Sequence, residues 1–141
     1  MVFRAETESQ LPALLAEFAS HLNLGDLVIL QGELGAGKTA CVRAIVADLG
    51  STDPVRSPTF ALIHQYQGRV PILHADLYRI GKAPLTELLE GMAESITLVE
   101  WAEESLAQHA PGKSYLLNIS VEHSIRLINI EEIGTLKNGA K

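Results

Sequence analysis

Cysteine is nearly absent from this chain. The one thiol, Cys41, allows no intramolecular disulfide, which fits a protein kept in a reducing cytoplasm. Aromatic side chains make up only 5% of residues, with a single tryptophan, Trp101. No apolar run reaches the roughly 18 residues of a membrane span, so no membrane partner is expected. The N-terminus carries Glu6 and Glu8 and no sustained apolar core, which argues against a secretory leader. Positive charge is in deficit. Eleven Lys and Arg stand against 17 Asp and Glu, for a net charge of −6. A protein that neutralises nucleic-acid phosphates alone is normally basic. DNA is therefore not an expected partner, and RNA only indirectly or through a local basic patch.

What is present is an ordinary globular balance, 47% hydrophobic and 20% charged over 141 residues. That length suits one core. With no repeat, low-complexity tract or linker, residues 1–141 read as a single domain.

The most informative stretch is Gly32-Glu33-Leu34-Gly35-Ala36-Gly37-Lys38-Thr39. It fits the phosphate-binding pattern G-x-x-x-x-G-K-[ST] at every fixed position. Leu27 to Leu30 before it have the length of a buried strand, and Ala40 to Leu49 after it show helical spacing. The order strand, loop, helix gives the pattern its meaning. The glycines let backbone N–H groups turn inward on an anion, and the helix beginning near Lys38 adds its positive end. Lys38, expected to reach out from an exposed loop, would meet the β- and γ-phosphates, and the Thr39 hydroxyl would meet Mg²⁺. The bland alternative is a Gly-rich turn between a strand and a helix.

The rest of the chain supplies the frame. Val2 to Ala5 reads as a short strand, and Leu11, Leu14, Leu15, Phe18 and Leu22 as an amphipathic helix with Pro12 in its first turn. Phe60 to Tyr66 and Val70 to Ala75 read as a hairpin across Gly68. Ala83 to Met92 contains a short helix, Ile96 to Val99 a buried strand, and Glu103 to His109 a short helix stopped at Pro111-Gly112. Tyr115 to Val121 and Ile125 to Ile130 read as a second hairpin turning at Glu122-His123. Strands alternate with helices early and pair as hairpins late. The expected fold is α/β, a P-loop NTPase-like three-layer arrangement with a mixed parallel and antiparallel central sheet.

A phosphate loop needs acidic company, because Mg²⁺ takes hard oxygen ligands. Two apolar runs end in carboxylates, Val70 to Asp76 and Ile96 to Glu100. Each alone could be a solvated strand end, and spacing does not say which would hold metal and which would act on an attacking water. Thr59, in Ser57-Pro58-Thr59-Phe60, lies where a mobile loop can sense a γ-phosphate, or simply where a Ser-Pro turn opens a strand. Arg79 could neutralise phosphate charge or pair with a surface carboxylate. His74 and Asp76 are two apart and share one strand face, which suggests a partnership. Cys41 sits where a helix N-terminus can acidify a thiol, but a small packed residue is the simpler reading.

Gly32 to Thr39, Ser57-Pro58-Thr59-Phe60, His74-Ala75-Asp76-Leu77-Tyr78-Arg79 and Val99-Glu100-Trp101-Ala102-Glu103 occur in that order. This series, about half the chain, resembles the TsaE (YjeE) family of small bacterial phosphate-loop ATPases. The family works in biosynthesis of threonylcarbamoyladenosine (t6A), a tRNA modification. The resemblance implies ATP and Mg²⁺ as cofactors. It implies TsaD and TsaB as partners, with ATP hydrolysis supporting turnover of their threonylcarbamoyl-transfer complex. Nucleotide would be held by Glu33, Leu34, Gly35, Ala36, Gly37, Lys38 and Thr39, with Thr7 to Ser9, and so Glu8, near the adenine. Thr39 and Glu100 would hold metal. Asp76, Lys38 and a switch-like Thr59 would serve hydrolysis. Ala40 departs from the threonine common after the motif, which matters little because Thr39 fills the metal role.

Three other classes compete, one of them a non-catalytic binding module, although Lys38, Thr39, Asp76 and Glu100 are all present. A small-molecule kinase would pass the γ-phosphate to an acceptor, but the chain has no insertion of the length of an arginine-bearing lid. A GTP-operated switch would need an Asn-Lys-x-Asp segment, which is missing from the sequence.

Overall fold

The computed structural model describes residues 1–33, 36–55, 63–77 and 85–134. Among the described residues seven strands form one sheet: β1 (Val2–Ala5), β2 (Leu27–Gln31), β3 (Ile63–Gln67), β4 (Pro71–Asp76), β5 (Ile96–Glu100), β6 (Ser114–Glu122) and β7 (Ile125–Ile133). Their order across the sheet is β1-β7-β6-β2-β5-β4-β3. β2 pairs in parallel with both β5 and β6, and β4 pairs in parallel with β5. The outer pairs β3–β4, β6–β7 and β1–β7 are antiparallel. β5 is buried along its whole length, as is β2 up to Gln31. That explains their largely apolar sequences, since a central parallel strand is covered on both faces.

Helices cover both faces, giving three layers. On one side α1 (Leu11–Ser20) packs on α2 (Lys38–Asp48). Leu11, Leu15 and Phe18 join Val42, Ile45, Val28, Leu30, Leu98 and Ile128 in one core. On the other side lie α3 (Leu85–Gly91), a 3₁₀ turn over Met92–Glu94 and a 3₁₀ segment over Glu104–His109. Leu88, Met92 and Leu106 pack there on Leu27, Ile29 and Val99. The P-loop NTPase-like mixed α/β sheet expected from the sequence is the observed fold.

Local chemistry sets the boundaries. Pro12 stands in the first turn of α1, where its missing N–H costs nothing. Ahead of it, Gln10 Oε1 accepts hydrogen bonds from the N–H groups of Glu6 (2.6 Å) and Thr7 (3.3 Å). The second hairpin turns one residue later than expected, at His123–Ser124, both with positive φ (52° and 69°). Two such residues match the right-handed twist of the flanking strands. The segment near His109 is a 3₁₀ segment, too short to settle into an α-helix.

Because β2, β4, β5 and β6 run the same way, their C-terminal ends share one edge of the sheet. Side chains alternate between faces. On the α1–α2 face, rows that begin apolar turn polar at this edge: Ile96–Leu98–Glu100, Ile72–His74–Asp76 and, on antiparallel β7, Ile130–Ile128–Arg126.

Candidate functional site

The phosphate-loop sequence leaves β2 and enters α2 at that edge. Gly37 caps α2 in the left-handed region, φ 107°, a conformation that favours glycine. Ala36 is buried, Glu33 is exposed, and Gly37 and Thr39 are half-buried. The Ala36 N–H donates to the Glu33 carbonyl at 2.9 Å. Leu34 and Gly35 lie outside the described residues.

Lys38 is not on an exposed loop, as the sequence suggested, but is only 6% exposed at the first position of the helix. Its Nζ donates to the carbonyls of Gly32 (2.6 Å) and Glu33 (3.1 Å) and lies 4.4 Å from the centre of the Trp101 ring. That is within cation–π range. Trp101 itself follows β5 in the left-handed region, φ 64°, and is 38% exposed. A bulky side chain in that region is strained.

Asp76 and Glu100 end β4 and β5 as register partners, and both are buried, at 7% and 4% exposure. Glu100 is also in register with Leu30, two residues before Gly32. Glu100 therefore stands beside the strand that feeds the loop, and Asp76 one strand further out. The partner the structure gives His74 is Glu100 rather than Asp76: His74 Nε2 donates to Glu100 Oε2 at 2.7 Å. Beyond it, Tyr66 Oη lies 3.3 Å from His74 Nδ1 and 3.2 Å from His64 Nδ1. The same-face spacing within β4 was legible, but the partner across the next strand depends on the β4–β5 register.

A cation site for Mg²⁺ would draw on hard oxygens, the Thr39 hydroxyl and the carboxylates at this edge. Among the described residues no three His, Cys, Asp or Glu side chains form a cage. Mg²⁺ usually takes one or two carboxylates and completes its shell with phosphate and water. With Glu100 Oε2 engaged by His74, Oε1 is the oxygen left for a cation or its waters.

On the far side of α2, Glu8 Oε2 accepts from Arg43 at 3.0 Å. A cavity of about 440 Å³ there is lined by Glu8, Ser9, Pro12, Ala40, Arg43 and Ala44, among others. The segment proposed to lie near adenine thus faces an open cavity beside α2. A second cavity, about 410 Å³, lies between the loop (Gly32, Glu33, Ala36) and β6 (Asn118 to Val121). Cys41 is fully buried, and burial pushes its thiol up to about 12, with the nearby Arg126 charge pulling it down and Glu8 pushing it up. Burial outweighs any acidifying pull of the helix end, so Cys41 is a packed residue. Thr59, the Ser57-Pro58-Thr59-Phe60 stretch and Arg79 fall outside the described residues.

The family model described as "Threonylcarbamoyl adenosine biosynthesis protein TsaE" matches residues 5–128. The chain belongs to the TsaE family. Among TsaE proteins, that of Synechocystis sp. is 39% identical over 95 residues, 62% of this chain and 60% of that protein. The TsaE of Haemophilus influenzae is 35% identical over 128 residues, 84% of this chain and 77% of its own length. The crystal structure of Bacillus subtilis YdiB superposes with a TM-score of 0.76 at 28% identity, covering 99% of this chain and 89% of that one. TsaE membership fits the fold and ties the chain to a family of tRNA threonylcarbamoyladenosine biosynthesis. Among the described residues no helix is long and apolar enough to cross a membrane.

Proposed function

We propose that this TsaE protein binds and hydrolyses Mg-ATP to support turnover of the TsaD–TsaB threonylcarbamoyl-transfer complex. The observation that carries the reading is the meeting, at one sheet edge, of the Gly32–Thr39 loop with two buried carboxylates, Asp76 and Glu100. Backbone N–H groups and the helix end of α2 attract polyphosphate. Lys38 exchanges its two carbonyl partners for the β- and γ-phosphates. Thr39 and Glu100 hold Mg²⁺, which would neutralise the charge developing on the phosphates. Asp76, beside Glu100, orients the attacking water. Thr59 senses the γ-phosphate, and Thr7 to Ser9, with Glu8, lie near the adenine. The acidic net charge fits docking on partner proteins that themselves hold the tRNA in the cytoplasm. Calorimetry of ATP binding, together with phosphate release with and without the TsaD–TsaB pair, tests this. Tight Mg-ATP binding with release stimulated by the pair is the expected result. No ATP binding, or phosphate passed to a small-molecule acceptor, would overturn it.

A further inference from the structure

Arg126 is the unexplained residue at this edge. It stands on β7, where the alternating row Ile130–Ile128 is apolar and packs into the α1–α2 core. At the next position on the same face the row changes to an arginine. The side chain lies against Gly37, the cap of α2. A Cβ built on Gly37 would come within 2.7 Å of Arg126 Nε and 3.3 Å of its Cδ. The guanidinium charge is felt at Cys41, in the first turn of α2. Nε is buried with no hydrogen-bond partner among the described residues.

This is an adverse place for a cation by itself. The N-terminal end of a helix carries about half a positive charge, which repels a guanidinium, and Lys38 adds another positive charge there. A buried donor without an acceptor carries a further cost. A polyanion on the loop would reverse every one of these terms. An arginine fork suits phosphate oxygens particularly well.

We propose that Arg126 is a nucleotide-contacting residue, binding the α-phosphate end of the polyphosphate; this rests on the nucleotide reading given above. Sheet order gives the polarity. Across the edge run β7, β6, β2, β5 and β4. The carboxylates of β5 and β4 lie on one side of the loop that follows β2, and Arg126 lies on the other. With metal and γ-phosphate on the carboxylate side, the α-phosphate and ribose extend toward Arg126. Two further placements agree with this direction. The cavity along Asn118 to Val121 ends at Val121, the register partner of Arg126. On the other flank Arg126 is in register with Ala5, two residues before Thr7.

The test is calorimetric titration of ADP and ATP into wild type, Arg126→Gln, Arg126→Lys and Lys38→Ala, each checked for its melting transition. An α-phosphate contact is present in both nucleotides. Arg126→Gln should therefore weaken ADP and ATP by the same factor, tenfold or more, and Arg126→Lys should recover part of the loss. Affinities within twofold of wild type in the folded variants would overturn the proposal. So would a loss confined to ATP, which would put Arg126 on the γ-phosphate. If Lys38→Ala loses ATP while Arg126→Gln keeps it, only this proposal fails. If Lys38→Ala also keeps wild-type affinity, the phosphate-loop reading falls and takes this proposal with it.

Discussion

His74 Nε2 stands 2.7 Å from Glu100 Oε2, and the ring is completely buried. On the other side of the ring, Tyr66 Oη lies 3.3 Å from His74 Nδ1 and 3.2 Å from His64 Nδ1. Glu100 is thereby held in one rotamer at the end of β5 by a chain of polar groups reaching β3. A buried carboxylate without such a donor would have to find water or give up its charge.

His74→Leu should accordingly lower stability by about 1–3 kcal/mol, the cost of stranding a buried acceptor. It should also blunt the Mg²⁺ dependence of ATP binding. His74→Gln, which keeps an N–H donor near the Nε2 position, should restore part of both. Urea unfolding and Mg²⁺ titrations at fixed ATP read the two effects. Wild-type values for both in His74→Leu would show that the contact does not position Glu100.

Lys38 and Trp101 give an optical handle. In the structure the ammonium is held by the Gly32 and Glu33 carbonyls beside the indole. Phosphate would draw it away from all three. Trp101 is the only tryptophan, so its emission should change as ATP saturates the protein. Lys38→Ala should remove both ATP binding and the change while the melting transition persists, since its freed carbonyls lie on a partly exposed loop. Unchanged emission at ATP concentrations that calorimetry finds saturating would contradict this displacement.

How much of this was legible in the sequence depended on how local each signal was. β1 at Val2–Ala5 and the start of α2 at Lys38 agree with structure because propensity, glycine placement and apolar spacing act within a few residues. Asp76 and Glu100 were legible as the first acidic residues after apolar runs. Their adjacency was not, since it depends on parallel pairing of β4 with β5 across a helical crossover. The His74–Glu100 bond was hidden for the same reason. Arg126 read as one more polar position in an alternating hairpin. Only the β1–β7–β6 pairing brings it to Gly37.

Cys41 makes a pH prediction. Burial pushes its thiol pKa from the ordinary 9.0 up to about 12 in the folded protein. In the unfolded chain the thiol ionises first, from about pH 9 upward. The contribution to stability is therefore complete below pH 9 and is lost as pH rises toward 12, with a limiting slope of about 1.4 kcal/mol per pH unit. Cys41→Ala should show a shallower alkaline decline. At pH 8 the native thiol should resist a disulfide reagent and react only on unfolding, because the thiolate is the nucleophile. Labelling of the native protein at the unfolded-chain rate would refute the burial argument.

The two carboxylates should separate by the step each affects. Glu100→Gln keeps an acceptor for His74 but loses the charge. If Glu100 anchors Mg²⁺ with Thr39, this variant should bind ATP more weakly, and the advantage that Mg²⁺ gives should shrink, because polyphosphate charge is no longer balanced by a fixed cation. Asp76→Asn preserves shape and hydrogen-bonding capacity. If Asp76 orients the attacking water, ATP affinity should stay close to wild type while hydrolysis falls by roughly 10²–10⁴, the range for a lost acid–base group. Because the two residues are register neighbours, their effects should not add, and the double variant should hydrolyse no more slowly than the worse single one by more than about tenfold. Calorimetry with and without Mg²⁺, beside phosphate release in the presence of TsaD and TsaB, measures all four proteins on one scale. Loss of the Mg²⁺ dependence in Asp76→Asn, with its retention in Glu100→Gln, would require the two roles to be exchanged.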